Sequence, residues 1–395
     1  MSEYIPHTPI LYFIFRIEMI SLFGSKLERK MSIDINERHG DWKKNAALFQ
    51  KSDTRKSVWQ LLNTLVPFLG LWWAAYLSLS VSIWMTLPLT ILASGFFVRI
   101  FIIFHDCCHH SFFKSRRANE IVGMITGMMT CFPYHQWKYE HAVHHATSGN
   151  LGRRGTGDMW TLTVNEYQQL SFVKRMVYRV YRNPVVMFGI GPIHLFLNQY
   201  RFNRKGAGRK ERINTHVTNF AWMAILTALS IILGWKSVLL VEGPILYLAG
   251  IVGIWLFYVQ HQFEHSYFET SDKWDYVHAA LQGSSFYQLP KILQWVTGNI
   301  GYHHVHHLGP KVPNYYLQQM HESTELFRNV PAVTLASSLH ALRYRLWDED
   351  SHRFVAFNEI AMAPLGQSVI ISQLFHSPRL TRLIGLLFRK LKSQS

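Results

Sequence analysis

The sequence predicts an all-α integral membrane protein: four transmembrane helices in two hairpins, with a cytoplasmic helical cap that carries boxes of histidine. Three observations lead there. Hydrophobic residues make up 49% of the 395 and charged ones 16%, a balance far from the soluble average. Long charge-free runs come in two pairs, separated by a basic segment. Twelve histidines crowd into four short windows, "HDCCHH" (His105 to His110), "HAVHH" (His141 to His145), "HQFEH" (His261 to His265) and "HHVHH" (His303 to His307). A buried imidazole without a partner costs stability, so four such windows ask for one common reason.

At the N-terminus, Tyr4 to Gly24 is apolar but carries Arg16 and Glu18, and it lacks a basic leading region and an A-x-A site. No cleaved signal peptide is expected there. Met31 offers a second start that would make residues 1–30 dispensable, and residues 1–56 read as an N-terminal cytoplasmic segment. Leu61 to Val98 holds 38 residues without one Asp, Glu, Lys, Arg or His. That is about twice the ~20 needed for a single helix across a bilayer, so it reads as two antiparallel spans turning near Ser78 to Ser82. Ile121 to Tyr134 is too short to cross, and Asn183 to Tyr200 is interrupted by Pro184 and Pro192; both read as interfacial or re-entrant. The second pair of spans is Val217 to Trp235 and Gly243 to Gln260, with Lys236 and Glu242 in the turn between them. Residues 57–345 form the membrane and catalytic domain. Residues 346–395 form a cytoplasmic tail, in which Leu380, Leu383, Ile384, Leu387, Phe388 and Leu391 make the apolar stripe of a basic amphipathic helix suited to an anionic leaflet.

Orientation follows from the basic residues. The segment His105 to His216 carries 16 Lys and Arg, the first turn none and the second only Lys236. By the positive-inside rule the termini and the middle segment are cytoplasmic in a multi-pass cell-membrane protein. All four histidine windows then lie on the cytoplasmic side. Cys107, Cys108 and Cys131 share that reducing side and show no CxxC spacing, which leaves no disulfide or zinc-ribbon framework.

On a helix, residues at i, i+3 and i+4 share a face. His105 with His109, His141 with His144 and His145, His261 with His265, and His303 with His306 and His307 are so spaced. Ten imidazoles are too many for one ion and about right for two. Nitrogen-rich sites suit iron, copper, nickel or zinc, so the residue types do not choose among them. His110 and His304 point off these faces, and His135, His194, His216, His278 and His340 read as ordinary hydrogen-bonded residues. A metal transporter would place its ligands and acidic groups within the spans, where none is expected here, and a haem carrier would leave most of the ten unexplained.

The pattern Hx3H, HxxHH and HxxHH behind paired hydrophobic hairpins resembles the membrane-bound fatty acid desaturases, over roughly Ser57 to Tyr344. The longer strings "FIIFHDCCHHSFF", "HHATSGNLGRRGTGDMWTLTVNEY", "YVQHQFEHSYFE" and "GNIGYHHVHHLGP" are similar to the bacterial Δ5 acyl-lipid branch and its Δ12-type relatives. The resemblance implies a di-iron enzyme that uses O2 and two external electrons to place a cis double bond in acyl chains of membrane phospholipid. A lipid or alkane hydroxylase would share the boxes and differ in its product. By the family's arrangement one iron would take His105, His109, His141, His145 and His306. The other would take His144, His265, His303 and His307, with His261 nearby. Asp106, Glu140, Asp158 and Glu264 are placed to accept the second ring N–H of these histidines. Trp137, Trp160 and Trp255 are candidate walls of an acyl tunnel. No "HPGG", no paired GxGxxG and no cysteine cluster set is present, so the electrons are expected from an external donor such as ferredoxin or flavodoxin, docking on basic runs like Arg201 to Arg212. The net charge of +16 otherwise serves membrane orientation and anionic headgroups, and no nucleic-acid partner is expected.

Overall fold

The computed structural model describes residues 42–360. The N-terminal apolar stretch, Met31 and the stripe from Leu380 to Leu391 lie outside the described residues. Among the described residues four helices are long and apolar enough to cross a membrane: α1 (Thr54–Ser78), α2 (Ile83–Cys108), α6 (Arg209–Leu233) and α7 (Trp235–His261). Asp53 caps α1 by accepting from the backbone N–H groups of Arg55 and Lys56, and Ser82 caps α2 through Trp84 N–H. The first hairpin therefore turns over Leu79 to Ser82, as the charge-free run implied.

The second hairpin differs from expectation. Its turn is the single residue Gly234, whose φ of +86° breaks the helix without a steric penalty, and α7 starts at once with Trp235. Lys236 and Glu242 consequently belong to the helix, not to a turn. Glu242 Oε2 accepts a hydrogen bond from the indole Nε1 of Trp72 on α1, at 2.8 Å, so α7 carries an acidic group that contacts another span. Of the apolar stretch of α2, 56% is buried, against 6% for α6. α2 is the central pillar, and α6 lies at the periphery, packed on α7 and on the helix Tyr134–Thr147.

Between the hairpins the chain dips without crossing. α3 (Arg116–Met129) packs on α2, reverses through Thr130 to Pro133, and returns as α4 (Tyr134–Thr147). The proline-interrupted stretch forms short turns, Pro184–Gly189 and Gly191–His194, followed by a π turn at Leu195–Gln199, all against α7. Phe101, Phe104, Phe132, Trp137, Phe196 and Tyr200 meet where these pieces converge, with Phe101 and Phe132 ring centroids 4.9 Å apart. This aromatic floor lies next to the first histidine window. α5 (Phe172–Tyr181) buries Tyr178 and exposes Phe172, Val173, Val177 and Val180, the pattern of a helix lying along an interface.

Two small sheets close the remainder. Parallel β2 (Phe286–Gln288) and β3 (Ala332–Thr334) pair with each other, while β1 (Leu162–Thr163), β4 (Leu346–Asp348) and β5 (Arg353–Val355) form a three-stranded sheet in the order β1-β4-β5. The boundary expected at 345/346 falls inside this sheet: Leu346 pairs with Leu162, and Phe354 N–H donates to Glu264 O at 2.7 Å. The described part of the tail is built into the body.

Candidate metal centre

The histidine windows sit at helix ends because the spans stop there. His105 lies in the last turn of α2 and His261 is the final residue of α7, while the second and fourth windows ride on α4 and on the short α8 (His303–Leu308). Adjacent histidines on a helix point about 100° apart. His144 and His145 on α4, and His306 and His307 on α8, therefore each send one ring to one group and one to another. Two groups result: His105, His109, His141, His145 and His306 in one, and His144, His261, His303 and His307 in the other. They abut, with the His145 and His307 rings stacked at 4.2 Å.

Within the first group Nε2 faces Nε2 repeatedly, at 3.0 Å for His105 and His141, 3.1 Å for His141 and His145, and 3.0 Å for His145 and His306. In the second, His261 Nε2 stands 3.2 Å from that of His144 and 2.9 Å from that of His303. Nδ1 of His105 donates to Asp106 Oδ1 at 3.1 Å, that of His144 to Asp158 Oδ1 at 2.6 Å, and that of His261 to the Gly283 carbonyl at 3.1 Å. A proton held on Nδ1 leaves Nε2 as a lone pair, so these rings turn unprotonated nitrogens toward one another. His109 Nε2 and His307 Nε2 are buried with no partner. Lone pairs crowded in this way are explained by a cation: nitrogens about 3 Å apart are neighbours around one ion at metal–nitrogen bonds of ~2.1 Å. Burial, and secondarily the neighbouring imidazoles, hold His141, His145, His303, His306 and His307 well below the usual histidine pKa, which keeps them neutral and able to ligate. The donor sets fit two metal ions.

Nine of the ten expected histidines come together. His265 does not: α7 ends at His261, so the helical i, i+4 relation fails, and His265 lies exposed on the following turn. His261 takes the place expected of it. His110, at φ +56°, turns to Lys138 Nζ, and His304 turns to His321 Nδ1 at 2.9 Å; neither joins a group. His135, His194, His216, His278 and His340 also lie outside both.

Of the four carboxylates, Asp106 and Asp158 touch box histidines. Glu140 instead bonds Tyr200 and Gln136, with its pKa raised by burial, and Glu264 accepts from Tyr344 Oη at 2.7 Å while pairing with Arg353. Asp158 reaches His144 because Gly157, at φ +73°, lets the loop lie against α4; a Cβ there would stand 2.8 Å from the Glu140 carbonyl. Trp137 stacks on His141 at 4.2 Å, whereas Trp160 packs on Tyr178 and Tyr181, and Trp255 bonds Tyr287 Oη. Spacing gave no signal for Asn314, which donates through its backbone N–H and its Nδ2 to Asp106 Oδ2 at 2.7 and 2.8 Å, or for Gln60, which donates to Asn314 Oδ1 at 3.0 Å.

Four spans ending in two abutting all-imidazole groups define a histidine-rich membrane metalloprotein. Residues 82–332 match the sequence profile of the fatty acid desaturase family. The chain is 59% identical over 322 residues to a fatty acid desaturase of Bacillus subtilis, covering 82% of this chain and 92% of that one. It is 28% identical over 260 residues to the chloroplastic omega-6 fatty acid desaturase of Arabidopsis thaliana, covering 61% of this chain and 54% of the plant protein, about half its length. With the sn-1 oleoyl-lipid 12-desaturase of Synechocystis sp. it shares 26% over 261 residues, 63% of this chain and 71% of that one. The chain belongs to the fatty acid desaturase family. It is an oxidoreductase that uses oxygen on fatty acyl chains.

Proposed function

We propose that this protein is a di-iron desaturase that introduces a cis double bond at Δ5 into acyl chains esterified in membrane lipid. The observation that carries the metal part is the pair of abutting donor sets, five and four imidazoles, at the ends of the spans. Iron at both positions would supply the oxidising power that breaks unactivated C–H bonds. The overall change removes two hydrogens from the chain and, with two electrons and two protons from outside, reduces O2 to two waters.

The protein's own residues prepare the site. Asp106 and Asp158 fix the tautomers of His105 and His144, Gly283 O fixes that of His261, and the aromatic floor beside His105 and His141 keeps water from the acyl chain. Support for Δ5 comes from depth and from likeness. Histidines at the last turns of α2 and α7 lie near headgroup level, where a carbon a few bonds from the ester is simple to present. The box strings carry the rest of that reading. The site faces the cytoplasm in the cell membrane, and a small acidic carrier such as ferredoxin or flavodoxin delivers the electrons.

Expression in a host without desaturases, fed labelled palmitate, tests the reading. A Δ5-hexadecenoyl lipid that requires O2 is expected. A Δ9 or Δ12 product would replace the regiochemistry, the latter matching the Synechocystis relative's name, and a hydroxylated chain would remove desaturation.

A further inference from the structure

Arg182 is fully buried and, among the described residues, pairs with no carboxylate. Its guanidinium donates to Trp160 O, Tyr344 O and Gln262 Oε1, the last at 2.8 Å, and its Nε finds no partner. A cation so placed carries a desolvation cost that neutral acceptors offset only in part. What it fixes is an amide. A guanidinium can only donate, so Gln262 must turn Oε1 toward it and its NH2 group the other way. That NH2 meets Thr161 Oγ1 at 3.4 Å, longer than an ordinary hydrogen bond, and has a second N–H to give.

Gln262 and Thr161 wall a pocket of about 20 Å³ together with Arg154, Asp158, the rings of His144 and His261, and the apolar Phe257 and Phe268. A directed donor beside the histidine rings suits a molecule that brings one acceptor atom to it. On the substrate class proposed above, that acceptor is the ester carbonyl at C1. Arg154 borders this pocket and also a polar cleft of about 300 Å³ lined by Asn165, Thr270, Ser271 and Glu349.

We propose that Gln262, oriented by Arg182, hydrogen-bonds the ester carbonyl of the bound lipid and so sets the position of the double bond. The inference rests on the acyl-lipid Δ5 reading. It also bears on it, because an extended chain advances about 1.25 Å per C–C bond of ~1.5 Å. A carbonyl held one residue from His261 thus places C5 and C6, about 5–6 Å away, at the histidine groups, whereas C12 would lie roughly 14 Å off.

The test compares an ester phospholipid with its ether analogue, which lacks the carbonyl, in membranes supplied with a reduced ferredoxin. Wild type should prefer the ester on the order of tenfold or more, the span expected for a buried donor left unpaired. Gln262→Met should bring the ratio near one and spread the double bond over neighbouring positions. Gln262→Glu keeps an acceptor for Arg182, so it should retain fold and metal content, yet it presents an oxygen to the carbonyl and should also lose the preference. A preference unchanged in either active variant overturns the inference, as does a wild type indifferent to the ester. If both variants are inactive, the wild-type ratio decides. The position of the wild-type double bond is read separately: Δ9 or Δ12 removes the Δ5 reading and the inference with it, while Δ5 with an unchanged ratio removes the inference alone.

Discussion

Asp158 holds His144 Nδ1 at 2.6 Å, and the ring's other nitrogen is thereby left to face His261. Asp158→Asn frees the tautomer, and a loss of about 10–100-fold in activity or metal affinity is expected, read by turnover together with metal titration. Glu264→Gln, which alters a contact with Tyr344 and Arg353, should leave both within about twofold. His261 and His265 provide a sharper pair. His261→Ala removes a nitrogen that stands near two others and should lower bound metal and abolish desaturation, whereas His265→Ala should retain both; the reverse outcome would restore the spacing rule. At this scale the sequence was legible wherever the grouped histidines share a helical turn. It did not reveal that the helix ends at His261, which leaves His265 outside both groups. It was silent on Gly283 O, Asn314 and Gln60, whose contacts join residues far apart in the chain and follow no period.

Helices and loops obey the same division. The charge-free runs locate all four spans, because the bilayer sets their length and excludes charge. The second turn was misplaced, since Lys236 and Glu242 looked like turn residues while the break is made by Gly234. Trp72→Phe removes the indole donor to Glu242 and should destabilise the packed hairpins by about 1–3 kcal/mol, measurable as a lower unfolding temperature in detergent. Glu242→Gln, which can still accept from Trp72, should be milder. In the loop that carries Asp158, Gly157→Ala forces a side chain into the left-handed region against the Glu140 carbonyl. A cost of about 1–3 kcal/mol is expected, with a fall in activity resembling that of Asp158→Asn.

For the whole molecule, two hairpins bring distant windows to one end of the bundle, and that end is where chain and membrane lipid can meet. On the topology proposed above, the basic middle segment and this end of the bundle share the cytoplasmic side. Ser80→Cys in the first turn and Lys236→Cys at the start of α7 each put a thiol at the opposite end of the spans, against native cysteines that are all buried. Both should label with an impermeant reagent from outside, and labelling from the cytoplasmic side alone would invert the topology. The four-span architecture was legible because solvent and bilayer impose it on composition. The sheet that ties residues 346–355 to β1 was not, since strands of two or three residues carry no readable alternation. The central claim, that each histidine group holds an iron, is tested most directly by counting metals in protein purified from iron-sufficient cells. Two irons per chain are expected, one for each group. An active preparation carrying a single ion, or zinc alone, would contradict it.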